Sequence, residues 1–363
     1  MKKKIAFYYQ DLHQKHLFRY IANHLNKKKF NIFFTNNLNL KCDFGFYAEN
    51  SNNINKINAK ISFISLGGMD QGKLFWPNLW IKENWQNFDF GILPGKNWAN
   101  MWKNSSWYDK SSPKKGMLLT GWPKTEHLKD VKLSKKNKRT ILYAPGFETD
   151  NKGMDVVDAL KDTNIKLLIK HLPWDQKKDL IRFKDLRKNI IQMIKYAKYK
   201  LGKRAYVINV KENIMNYYNK ADILVTDESS VIYEALLYNL PSLSCEDWPM
   251  RSNNRNKPRS IHKNTSVCNY VLKENLRNEI LYMFKNIRKI KNKILGKKKN
   301  HFSYINNSGK NLSKILENFS QKKISKFIIK PKYRKNYLKS RIAEYYNYFN
   351  YLFSMVINRL KSY

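Results

Sequence analysis

Cysteine is nearly absent from this chain, and so is any long apolar run; each absence closes off a class of protein. Cys42, Cys245 and Cys268 are scattered along 363 residues. They form no CxxC pair and no zinc-type spacing, which excludes a disulfide framework and fits plain thiols in a reducing compartment. No apolar stretch reaches the roughly 18–20 residues that a membrane-spanning helix needs. The opening run, Ile5-Ala-Phe-Tyr-Tyr9, stops too soon for a signal peptide. The expectation is a cytoplasmic protein, or one held peripherally on the inner face of the plasma membrane. There is no GxGxxG, which argues against a dinucleotide-binding enzyme, and no repeat at solenoid spacing.

Acidic residues are scarce as well. Only 28 Asp and Glu stand against 70 Lys and Arg, for a net charge of +42. Such a surface seeks polyanions: nucleic acid, an anionic bilayer face, or a phosphate-rich substrate. What the chain does contain is globular. A hydrophobic content of 42% with 14% aromatic residues excludes a disordered chain, and 363 residues suffice for two domains with separate cores.

Short apolar runs alternate with helical periodicity. Ile5 to Tyr9, Asn31 to Thr35, Phe44 to Tyr47, Ile61 to Ser65, Phe90 to Leu93 and Met117 to Thr120 read as strands. Leu17, Ile21 and Leu25 mark a helix after the first. A polar, lysine-rich stretch from Leu128 to Arg139 places a linker at 131–139. The alternation then restarts with Thr140 to Ala144, Ile165 to Ile169, Tyr206 to Val210, Ile223 to Val225 and Ser242 to Cys245, with a helix from about Gln176 to Lys200. Continuous apolar strands are buried on both faces, the mark of a parallel sheet covered by helices. The predicted fold is α/β: two Rossmann-like doubly wound domains facing across a cleft, at 1–130 and 140–320, with a helical tail at 321–363.

That tail is crowded with Tyr, Phe, Lys and Arg. Ile342, Tyr345, Tyr346, Phe349, Leu352, Phe353, Val356 and Leu360 recur at helical spacing. Helical apolar stripes usually mark core contacts, so this one is expected to pack back on the protein. The competing reading lays it on an anionic membrane surface. In either case Lys330, Lys332, Arg334, Lys335 and Lys339 are available to lipid head groups.

The segment Ala221-Asp-Ile-Leu-Val-Thr-Asp-Glu-Ser-Ser-Val-Ile-Tyr-Glu-Ala-Leu-Leu-Tyr-Asn-Leu-Pro-Ser-Leu243 reads as strand, polar turn, helix and strand. A helix start carries unpartnered N–H groups and partial positive charge. Ser229 and Ser230 either cap those groups or turn their hydroxyls toward a phosphate. Asp227 is either a turn residue or part of the same site. Ligands in open α/β sheets collect beyond the carboxyl ends of the strands, so a nucleotide diphosphate is the expected occupant.

Several segments, in order, resemble the CDP-glycerol glycerophosphotransferases, the family of teichoic acid primases and polymerases. Ile141-Leu-Tyr-Ala-Pro-Gly146 is similar to the strand and turn opening that family's donor-binding domain. Thr120-Gly-Trp-Pro-Lys124 is similar to the stretch closing its first domain, Asp222 to Pro241 to its Ser-Ser element, and Phe88 to Pro94 to a mid-domain strand. The resemblance spans about Ile64 to Cys245 and implies a GT-B-type plan. It departs in three places, one being Glu228 and Glu234, which stand where aromatic or Asp residues are more usual. Leu66 stands where the family carries a histidine before Gly67 and Lys73, leaving Asp70 as the nearest acid–base group there. The family's Lys-x-His-Pro appears as Lys170-His171-Leu-Pro173, with the histidine displaced by one position.

The resemblance implies transfer of glycerol phosphate, or a related polyol phosphate, from a CDP-linked donor to a surface-polymer or lipid-linked acceptor. Gly146, Lys170, Asp227, Ser229, Ser230 and Glu234 are then the donor-site candidates, with Glu234 directed to ribose hydroxyls or simply favourable near a helix N-terminus. His171 and Asp70 are the candidate bases. Gly67, Lys73, Arg251 and Arg255 are candidate acceptor or phosphate contacts, the two arginines lying in a basic loop. Positioned donors and charge can carry phosphoryl transfer, so no metal and no cofactor is called for. His13 and His16 lack a third ligand and are not read as a metal pair. Two other readings stay open: a glycosyltransferase using a nucleotide sugar, and a non-enzymatic nucleic-acid binder. No recognised nucleic-acid module supports the latter, and specific nucleic acid is not an expected partner.

Overall fold

The computed structural model describes residues 1–48, 57–66, 84–130, 139–172, 184–250, 260–261, 263–317, 319 and 324–360. By its contacts the chain divides into two units, one of Met1–Asp130 with Lys299–Tyr363, the other of Val131–Lys298. Sequence reading carried the second domain on to residue 320; the contacts instead return the chain to the first unit at Lys299.

In chain order the first unit begins with strand β1 (Lys3–Tyr8), helix α1 (Leu12–Ala22), β2 (Phe30–Thr35), β3 (Cys42–Ala48), β4 (Ala59–Ser65), β5 (Phe90–Ile92), α2 (Lys96–Ser105) and β6 (Gly116–Leu118). The second unit holds β7 (Thr140–Tyr143), α3 (Lys152–Leu160), β8 (Lys166–Ile169), α4 (Lys184–Leu201), β9 (Ala205–Val207), β10 (Ile223–Val225), α5 (Val231–Leu237), β11 (Ser242–Cys245), β12 (Asn269–Val271), α6 (Leu276–Lys285) and most of α7 (Ile287–His301). Helix α8 (Ser308–Glu317), strand β13 (Ile328–Ile329) and helix α9 (Tyr337–Leu360) then complete the first unit.

The first sheet runs β13-β6-β5-β4-β3-β1-β2, parallel except for β13. Register explains its aromatic content. Phe7 pairs with Phe46, Phe46 with Phe63 and Phe63 with Phe90, so four phenylalanines fall side by side on one face. The Phe46 and Phe63 rings stack at 4.7 Å and Phe63 and Phe90 at 5.5 Å. Such cross-strand aromatic contacts fix the pairing as well as filling the core. On α1, Leu17, Phe18 and Ile21 are fully buried, the face their spacing predicts.

The returning chain is tied down locally. The Ser308 hydroxyl donates to the Gly121 carbonyl at 2.7 Å, and the Gly309 amide donates to Glu126, which also meets His24. Gly121 sits at φ +87°, and a Cβ there would lie 2.2 Å from the Ser303 carbonyl oxygen, so only glycine fits this crossing.

The second sheet runs β12-β11-β10-β7-β8-β9, parallel throughout. Counted from β7 this is the doubly wound order 3-2-1-4-5-6, whose strand order reverses between β7 and β10. Ile141, Tyr143, Ile169, Ile223, Val225 and Leu243 are fully buried beneath its helices, as continuous apolar strands require.

The tail corrects one expectation. Over its described side chains, helix α9 does not bury the aromatic stripe. Leu338, Ile342, Tyr345, Tyr346 and Phe349 are all exposed, while Ser340 is fully buried. The Tyr108 hydroxyl donates to Glu344 at 2.9 Å, and Lys110 pairs with Glu344 at 2.7 Å. At 3.6 residues per turn, Ser340 and Glu344 lie on the side of the helix opposite the stripe. Polar contacts hold the first half of the helix, and they turn these apolar side chains outward.

Candidate active site at the carboxyl edge of the second sheet

Doubly wound sheets bind ligands beyond the carboxyl ends of the strands where the strand order reverses, and at that place, between β7 and β10, three sequence-predicted residues converge. The Ala144 amide donates to the Val225 carbonyl at 3.0 Å, and the Thr226 hydroxyl donates to the Ala144 carbonyl at 2.7 Å, which locks the two strand ends together. Beyond them the Gly146 amide donates to Asp227 Oδ1 at 2.7 Å and the Phe147 amide to Asp227 Oδ2 at 3.3 Å. A Cβ on Gly146 would come within 3.2 Å of that carboxylate and 3.7 Å of the Ser229 Cβ. Gly146, Asp227 and Ser229 are therefore neighbours, as expected.

Asp227 is buried, and its carboxylate also accepts from Lys152 Nζ at 2.9 Å. Through these contacts it braces the Gly146 turn. Ser230 occupies the N-cap position of α5 but makes no side-chain cap bond. Its backbone is already helical (φ −60°, ψ −16°), whereas a capping residue needs the extended conformation that aims its oxygen at the following amides. Glu234 is buried and accepts from the Tyr218 hydroxyl at 2.7 Å. Lys170 turns toward β9 and donates to the Val210 carbonyl at 2.8 Å, on the side of β8 away from β10. Gly146, Phe147, Glu228 and Ser230 remain partly exposed.

His171 is the second residue beyond β8. It is buried, and its Nε2 has no hydrogen-bond partner among the described residues. Its Nδ1 lies 3.9 Å from Glu148 Oε2, and the Tyr143 ring meets the imidazole edge-on at 6.2 Å. Burial, and then the neighbouring Lys170 charge, push the imidazole pKa down to about 4, so the ring is neutral at pH 7. Glu148 accepts from the Tyr143 hydroxyl at 2.8 Å and from the Gly153 amide at 2.9 Å. Burial outweighs these bonds and the Lys152 charge, and pushes its carboxyl up to about 7.

Sequence reasoning missed Glu148 and Lys152. Both had a signal. Glu148 lies two residues beyond Gly146 in the turn after a buried strand, and Lys152 opens a helix, an end where positive charge is unfavourable unless it is paired. Leu66, where the family histidine is expected, is fully buried, and its carbonyl accepts from the Trp122 indole at 3.2 Å. Gly67, Asp70, Lys73, Arg251 and Arg255 lie outside the described residues. No group of three potential metal ligands occurs among the described residues.

Residues 66–255, just over half of the chain, match the profile of CDP-glycerol:poly(glycerophosphate) glycerophosphotransferase. The chain belongs to this glycerophosphotransferase family. No curated protein matches the sequence. Among solved structures, the wall teichoic acid polymerase TagF aligns over 90% of each chain with 14% identity and a TM-score of 0.55. A complex of S. aureus MnaA with UDP aligns over 88% of this chain and 97% of its own, with 13% identity and a TM-score of 0.58. At these identities the alignments establish the fold. This glycerophosphotransferase is a transferase of GT-B type, with two α/β domains on parallel sheets.

Proposed function

We propose that this family member binds CDP-glycerol, or a closely related CDP-polyol, at the carboxyl edge of its second sheet and passes the polyol phosphate to a hydroxyl-bearing acceptor. The family match over residues 66–255 carries this reading, because it spans the β7 turn, His171 and the Ser229-Ser230 segment together. The switch crevice between β7 and β10 receives the diphosphate, which the Gly146 and Phe147 turn and the Ser229 and Ser230 hydroxyls approach. The relatives agree in ligand class: TagF has been soaked with CDPG, and MnaA binds UDP.

The chemistry is a displacement at the phosphorus bearing glycerol. The acceptor oxygen forms the new P–O bond, the bond to the bridging oxygen breaks, and CMP departs with that electron pair. The acceptor proton passes to a base. His171 suits this, since its neutral imidazole keeps a lone pair on the unpartnered Nε2. Asp70 remains the other candidate. The acceptor is a phosphate-rich or lipid-linked chain, which the net charge of +42 would attract.

The exposed stripe of α9, flanked by Lys330, Lys332, Arg334, Lys335, Lys339 and Arg341, supports a second element: peripheral attachment to an anionic membrane face. No helix among the described residues is long and apolar enough to cross a bilayer.

Incubation with CDP-glycerol, UDP-N-acetylglucosamine and GDP-mannose in turn, with the released nucleotide measured, tests the donor. CMP release from CDP-glycerol alone is expected. Turnover confined to the sugar donors would return the protein to the glycosyltransferase reading.

A further inference from the structure

We infer that Glu148 is the positioning carboxylate of His171: it holds the imidazole in the tautomer that carries its proton on Nδ1, and it stabilises the imidazolium formed when Nε2 accepts a proton. This rests on the reading of His171 as the base. A base needs its reactive nitrogen unprotonated and its other nitrogen held by an acceptor, and a carboxylate does both.

The geometry is specific. Glu148 Oε2, the oxygen nearest His171 Nδ1 at 3.9 Å, also accepts from the Tyr143 hydroxyl, so the carboxyl cannot swing freely. Its other oxygen is pinned by the Gly153 amide at the start of α3, and its backbone carbonyl accepts from Asn189 on α4 at 3.2 Å. Both partners are more than nine-tenths buried, so the carboxylate acts on the ring through little intervening water. A separation of 3.9 Å exceeds a hydrogen bond, yet catalytic contacts of this type are commonly long without substrate and tighten when it binds. The other groups facing the pair are Tyr143 on β7, Lys152 on α3, Asp227 after β10 and Lys170 beside His171. Lys152 is already matched by Asp227, which leaves Glu148 as the carboxylate nearest the ring among those described.

The test uses the full chain labelled with 15N-histidine, with Glu148→Gln as the variant. Gln removes the charge and keeps one carbonyl oxygen, which can accept from either the Tyr143 hydroxyl or the Gly153 amide but not from both. In the wild type, the His171 ring nitrogens should report the Nδ1–H tautomer and should move with a midpoint near 7, where Glu148 ionises. In E148Q that movement should vanish. With CDP-glycerol, kcat should fall ~10–100-fold with KM changed less than ~2-fold, and the pH–rate limb near 7 should disappear. A His171 spectrum that is the same in E148Q and wild type from pH 5 to 9 would overturn the pairing. If E148Q does not fold, an Nε2–H tautomer in the wild type would overturn it equally. The ring-nitrogen readout needs no turnover. Absent CMP release with the expected spectrum therefore counts against the donor, while turnover with an unchanged spectrum counts against Glu148.

Discussion

Lys152 and Asp227 meet at 2.9 Å, and neither side chain reaches solvent. The pair joins the first residue of α3 to the end of β10, and through Asp227 it fixes the Gly146 and Phe147 amides. Its effect is on the shape of that turn. A buried ion pair is weak evidence for net stability, but removing one partner leaves an uncompensated charge in a dry interior.

Lys152→Met should therefore destabilise the protein by ~3–5 kcal/mol, measured by urea unfolding. Asp227→Asn, which retains an acceptor for Gly146 but leaves the buried Lys152 ammonium unpaired, should cost a similar amount. A loss below ~1 kcal/mol for Lys152→Met would show that the interior is wetter than the geometry implies.

The two titrating groups beside this pair pull stability in opposite directions with pH. Glu148 is raised to about 7 in the folded state, above the ordinary glutamate value of ~4.3. Its contribution is present below the lower value and lost as pH rises through 7. His171 is lowered to about 4, so its folded form resists a proton that the unfolded chain takes up below ~6.5. Stability on its account falls as pH drops from ~6.5 toward 4. Glu148→Gln should accordingly gain on wild type between pH 5 and 8, by on the order of 2–3 kcal/mol. His171→Asn should gain on wild type toward pH 4.5. Denaturant unfolding at several pH values measures both, and parallel curves for wild type and E148Q would contradict the assignment.

Much of the fold was legible because its signal is local. Continuous apolar runs gave the central strands to within a residue or two, since Ile141 to Tyr143 and Ile223 to Val225 are buried on both faces whatever lies around them. The edge strands Asn269–Val271 and Ile328–Ile329 were not legible; they are two or three residues long, and tertiary pairing defines them. In the site, the convergence of Gly146, Asp227 and Ser229 followed from the strand–turn pattern. What each side chain does there depended on partners far along the chain. Lys152 lies 75 residues from Asp227, and Tyr218 turns Glu234 inward. The α9 stripe was misjudged because its period is the same whichever side faces the protein; Glu344 and Ser340 decide the side.

Exposure of that stripe makes a prediction about membranes. The full chain should bind vesicles of phosphatidylglycerol and phosphatidylethanolamine in co-sedimentation, and less at high salt as the Debye length shortens. Tyr345→Ser combined with Phe349→Ser should weaken binding by ~10-fold or more with an unchanged melting temperature, since both side chains are exposed. A large drop in melting temperature would mean that the stripe packs on the protein after all.

Calorimetric titration of CDP-glycerol into the wild type and into the Ser229→Ala, Ser230→Ala double variant is the most direct measurement of the central claim. The account predicts saturable binding to the wild type, tighter than that of UDP-N-acetylglucosamine, and a loss of ~10-fold or more in the double variant with its melting temperature unchanged. Undiminished affinity in the variant, or a preference for the UDP sugar, would contradict it.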